Sequence, residues 1–70
     1  MAKYCVNTNP QPKGEHEVHN TTAGCRHLPE PSNRKQLGDY ATCHSAVAAA
    51  KAHYTNVDGC FYCSRACHTR

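Results

Sequence analysis

The stretch Asp58-Gly59-Cys60-Phe61-Tyr62-Cys63 places two thiols on either side of a two-residue spacer. Two thiolates at this spacing can grip one tetrahedral ion when the backbone between them turns tightly, and Gly59 supplies turn chemistry just before them. Such a pair is half of a tetrahedral set. Working back along the chain, the segment from Glu15 to Cys25 offers the other half in His19 and Cys25. The predicted ligand set is therefore His19, Cys25, Cys60 and Cys63, and the predicted ion is zinc.

The rest of the composition explains why a cross-link is needed. The chain has 70 residues and a hydrophobic fraction of 39%, but that fraction rests mainly on alanine, cysteine and tyrosine. Its valine, leucine and phenylalanine side chains are only Val6, Val18, Leu28, Leu37, Val47, Val57 and Phe61, and it has no isoleucine. A domain this short buries about 60% of the surface its unfolded chain exposes, and burial then roughly balances ordering entropy. Small scaffolds close that gap with disulfides, metal or a partner. The net charge of +3 is too low, and the tyrosine and cysteine content too high, for a disordered chain. Residues 1–70 are read as one small Cys/His-rich domain.

The predicted fold class is α+β: a small antiparallel sheet, made of a hairpin and a third strand, packed on one helix with a Cys-rich C-terminal knuckle. Lys3 to Asn7 alternates Tyr4 and Val6 against Lys3, Cys5 and Asn7, which predicts a half-buried strand. The Asn9 to Gly14 run breaks regular structure, and Glu15 to His19 predicts a second strand with His16 and Val18 on one face and Glu17 and His19 on the other. Arg34 to Tyr40 is a weaker third strand, interrupted at Gly38. The helix is predicted from Thr42, as N-cap, to about Tyr54, with Cys43, Val47, Ala50 and Tyr54 on its apolar stripe. Cys43 reads as a small buried side chain, with a Cys43 to Cys67 disulfide as the competing assignment.

The string His16-Glu17-Val18-His19, Gly24-Cys25, Leu28-Pro29, Asn33-Arg34, Leu37-Gly38, Ala46-Val47, Asp58-Gly59-Cys60, Cys63 and Cys67-His68-Thr69 resembles a group of short uncharacterised bacterial proteins across nearly the whole chain. More distantly, His19 to Cys63 is similar to the metal-binding module of the Ada DNA-repair protein. That resemblance implies that Cys25, Cys60 and Cys63 are zinc ligands, with His19 where the module has its first cysteine. In Ada that cysteine accepts a methyl group from DNA phosphate. An imidazole on zinc is a far poorer nucleophile, so the resemblance does not carry methyl transfer to this chain. His27, Cys67 and His68 stay open as alternatives to His19.

No apolar signal-peptide core follows Met1, which places the protein in the cytoplasm as an expectation. In a reducing compartment a cysteine pattern reads as metal binding before it reads as a disulfide framework. Three functions are carried forward. The first is a non-catalytic zinc module with an unknown macromolecular partner, all four zinc positions being filled by protein. The second is a thiol-disulfide oxidoreductase using Cys60 and Cys63, since Cys-Phe-Tyr-Cys superficially resembles the glutaredoxin motif. The third is a nucleic-acid-binding accessory protein using Arg26, Arg34, Lys35, Arg65 and Arg70, although a pI near 8.6 is low for a committed nucleic-acid binder.

Overall fold

A computed structural model describes residues 1–69. Four strands, β1 (Ala2–Asn7), β2 (His16–Asn20), β3 (Arg34–Tyr40) and β4 (Val57–Gly59), form one sheet in the order β3-β1-β2-β4. One helix, α1 (Cys43–Ala50), lies between β3 and β4 in the chain, and 3-10 turns occupy Pro31–Asn33 and Arg65–Cys67. The class is α+β, as expected. The sheet, however, is mixed: β1 pairs antiparallel with both β2 and β3, while β4 adds to β2 in parallel. No helix among the described residues is long and apolar enough to cross a membrane.

Period-two alternation sets the two faces of the sheet. Val18 is opposite Val6, and His19 is opposite Cys5, so each antiparallel pair points to one side. Tyr4, Val6 and Val18 face α1 and pack with Cys43, Ala46 and Ala50. Alanines suit this contact because their small side chains let the helix approach the sheet closely. The expected half-buried β1 is in fact covered on both sides, since Tyr4, Cys5 and Val6 are all buried. The expected interruption of β3 is a bulge: Tyr4 pairs with Gly38 and Cys5 with Gln36, leaving Leu37 as the extra residue beside Gly38 at φ +107°.

The helix is shorter than its propensity implies. Thr42 caps it, its hydroxyl accepting from the Ser45 N–H, but regular structure ends at Ala50 and the next residues form turns. Tyr54 leaves the helical stripe to stack on His16, with ring centroids 3.8 Å apart. The chain then runs straight into β4.

Where β4 ends, the C-terminal segment folds back across it. Asp58 is buried and accepts from both the backbone N–H and the hydroxyl of Thr69, at 2.9 and 2.8 Å. Gly59 lies directly beneath this crossing: a Cβ there would sit 2.6 Å from the Ser64 carbonyl oxygen and 2.7 Å from Cys67 Cβ. Glycine is required by close approach and not by its dihedral angles. Gly59→Ala should lower stability by about 1–3 kcal/mol through overpacking. Each kcal/mol is worth roughly 4–8 °C in Tm for a domain this small. An unchanged melting temperature would show that the crossing is loose enough to move aside.

Candidate metal centre

The face of the sheet turned away from α1 carries the four residues singled out by the sequence. His19, near the end of β2, is fully buried there. The chain leaves β2 through a turn fixed by the Asn20 side chain, which accepts from the Ala23 N–H, and by the Thr21 N–H donating to the Lys3 carbonyl. That turn returns Cys25 to the sheet. Cys60 directly follows β4, its N–H donating to the Val18 carbonyl at 2.9 Å, and the Ser64 N–H closes the next turn onto the Cys60 carbonyl. Cys63 is thereby swung back toward His19.

One ligand atom from each of His19, Cys25, Cys60 and Cys63 lies within 4.8 Å of all the others, so the group can hold a metal ion. His19 Nδ1 is 3.5 Å from Cys63 Sγ and 4.0 Å from Cys25 Sγ, and the Cys25 and Cys60 sulfurs are 3.8 Å apart. Backbone amides also point at the sulfurs. Asn20 N–H donates to Cys63 Sγ at 3.3 Å and His27 N–H to Cys25 Sγ at 3.4 Å. The nearby amides of Cys63 and Tyr62 favour negative charge on Cys60, although burial outweighs them. Amide donors stabilise negative charge on sulfur.

Without a cation, burial disfavours the charged forms of Cys60, Cys63 and His19. Burial pushes the Cys60 and Cys63 thiols above their usual range, and the neighbouring Cys25 raises Cys63 further. Burial, helped by the charges of His27 and Arg34, lowers His19 to about 4. A neutral imidazole beside crowded thiols is the protonation pattern from which a metal ion displaces the thiol protons.

The alternative ligands are occupied elsewhere. His27 stacks on Tyr62 at 3.9 Å between centroids, and His68 Nδ1 donates to the Gly59 carbonyl at 3.0 Å and faces Asp58 at 3.3 Å. Cys67 is bonded to Cys43, 24 residues away. The reading of Cys43 as a lone buried thiol is therefore replaced by its competitor, the disulfide. Cys5 lies fully buried in register with His19 but outside the group of four.

The basic residues have separate placements. Arg26 and Lys35 are exposed, Arg34 Nε donates to the Pro29 carbonyl at 2.7 Å, and the Arg65 guanidinium lies 5.1 Å from the centre of the Phe61 ring. Arg70 lies outside the described residues.

One functional neighbour escaped the sequence reading. His19 Nε2, the ring nitrogen turned away from the sulfurs, is buried without a hydrogen-bond partner, and Glu17 Oε1 stands 3.7 Å from it. That is about 0.8 Å beyond a normal hydrogen bond. Gln11 Nε2 holds the same carboxylate oxygen at 3.2 Å. The period-two spacing of Glu17 and His19 was the available signal. A carboxylate behind a ligating imidazole fixes its tautomer and orientation.

No protein-family model matches the chain, and no significant similarity to a characterised protein or a solved structure is found.

Closure of the Glu17 contact on a metal-bound His19 predicts that Glu17→Gln weakens metal affinity about 10–100-fold. Competition with a chromogenic chelator measures this. Equal affinity in the variant would show that the carboxylate plays no part.

Proposed function

We propose that the protein is a small, non-catalytic zinc module whose ion is structural. The observation that carries this reading is the spacing of the four donors. Ligands at about 2.3 Å for sulfur and 2.0 Å for nitrogen put tetrahedral sulfurs about 3.8 Å apart and a sulfur and a nitrogen about 3.5 Å apart. The Cys25–Cys60 separation of 3.8 Å and the His19–Cys63 separation of 3.5 Å match those values, and Cys25–His19 at 4.0 Å is slightly wide. Three soft sulfurs and one imidazole favour zinc over the oxygen-seeking divalent ions. Four protein donors leave no position for a reacting water.

The ion would tie the loop after β2 and the turn after β4 to the back of the sheet. Metal binding and folding then become one event. Removing the ion with a strong chelator, or replacing Cys60 with serine, should abolish the cooperative thermal transition followed by circular dichroism. A Cys60→Ser protein that melts like the parent would overturn the structural role.

The oxidoreductase reading has less support. A reactive cysteine pair uses a lowered thiol pKa, commonly at a helix N-terminus. Cys60 and Cys63 follow a strand, and burial raises both thiols.

A specific observation favours single-stranded nucleic acid as the partner. Phe61 and Tyr62, the two residues between the paired cysteines, are 44% and 65% exposed, although large apolar side chains are scarce in this chain. Arg65 covers Phe61, and a cavity of about 380 Å³, lined by Gln11, Glu17, His27, Leu28, Cys60 and Tyr62, adjoins the exposed ring. Aromatic faces beside cationic side chains stack bases with little regard to sequence. Anisotropy of short single-stranded RNA and DNA at low salt tests this. Binding should fall with added salt, and Tyr62→Ala should cost about 1–3 kcal/mol. No binding by the parent protein at low salt would eliminate nucleic acid as the partner.

A further inference from the structure

The second cysteine pair lies on the helix side of the sheet, within the core that includes Val18. Cys43 opens α1, Cys67 ends the Arg65–Cys67 turn, and a disulfide joins them. The histidine beside them is not needed for such a clip. His44, the second residue of α1, is exposed, and its side chain makes no hydrogen bond or ring contact among the described residues. One of its ring nitrogens nevertheless lies within 4.8 Å of both Cys43 and Cys67 sulfurs.

Access and electrostatics favour a ligand here. A groove of about 300 Å³ borders the site, with Val47, Ala48 and Ala66 as apolar walls and Cys67, His44 and Lys51 also in its lining. Cys43 occupies the first turn of an eight-residue helix, where free backbone amides stabilise a thiolate. Cys43 and Cys67 are themselves buried residues, so an ion held by them would be shielded from water on the sheet side.

We propose that Cys43, His44 and Cys67 form a second metal site, distinct from the four-donor centre, that opens when their disulfide is reduced. Two molecules of a thiol, RSH, convert the bonded pair into two protein thiols and one RSSR. The incoming ion then displaces a proton from each thiol and takes two thiolates and the His44 imidazole as ligands. Soft sulfur and imidazole donors select a thiophilic ion, with zinc as the probe of choice. Three protein donors leave a fourth position toward the groove. That open position distinguishes this site from a closed structural one and can accept an exogenous thiolate, carboxylate or water. The state of the disulfide thereby sets the metal content of the chain.

Native mass spectrometry of the full chain tests this after incubation with a small excess of Zn2+ under argon, with and without a phosphine reductant. The mass of the denatured chain reports the disulfide state in parallel. The reduced protein should carry one more zinc than the oxidised protein, whatever the oxidised protein carries. His44→Ala, an exposed substitution that leaves the core intact, should abolish the added zinc while leaving the zinc content of the oxidised protein unchanged. A fully reduced parent chain that gains no zinc overturns the proposal. So does a His44→Ala protein that gains as much as the parent.

Discussion

The rest of the structure depends on the convergence of His19 with three cysteine sulfurs against the face of the sheet that α1 does not cover. A four-stranded sheet has two faces to bury, and this chain has apolar side chains for one. Tyr4, Val6 and Val18 meet the helix, with Ala46 and Ala50 against them. On the other face stand Cys5 and His19, and the segments that cover them come from distant parts of the chain. Burying an imidazole and several sulfurs in an apolar setting is unfavourable unless their polar atoms find partners. Their mutual proximity, with backbone amides directed at the sulfurs, allows a metal ion to be that partner.

The six cysteines divide between the two faces, and the division is chemical as well as spatial. Cys43 and Cys67 are joined on the helix side, tying the start of α1 to the turn that crosses β4. Cys25, Cys60 and Cys63 stay as thiols on the other side, and Cys5 lies buried in register with His19. Gly59 links the two regions. It is the last residue of β4, it precedes Cys60, and its missing side chain lets the segment bearing Cys67 cross closely. The disulfide and the four-donor cluster therefore constrain opposite ends of the same short stretch, residues 60–67.

Much of this was legible in the sequence, for local reasons. Alternation placed β1 and β2 within a residue of their observed limits, and put Glu17 and His19 on one face and His16 and Val18 on the other. Arg34 and Tyr40 bound the third strand as expected. The four clustered residues were readable because a CxxC pair demands two further donors and His19 and Cys25 were offered together. What failed to show was non-local. Strand β4 consists of Val57, Asp58 and Gly59, two of them poor strand formers, and exists because β2 offers a free edge. The helix stopped early because Tyr54 finds His16, a contact across 38 positions that no helical propensity contains. The Cys43–Cys67 bond was legible only as the competing assignment for Cys43, and the position of His44 beside it was not, because both need the crossing over Gly59.

The central claim is that one ion sits among one imidazole nitrogen and three sulfurs. X-ray absorption at the zinc edge tests it most directly, on protein purified without reductant so that the Cys43–Cys67 disulfide is intact. The account predicts one zinc per chain with a first shell of three sulfurs at about 2.3 Å and one nitrogen at about 2.0 Å. Protein isolated in folded form without metal would contradict it, as would a first shell dominated by oxygen or containing four sulfurs.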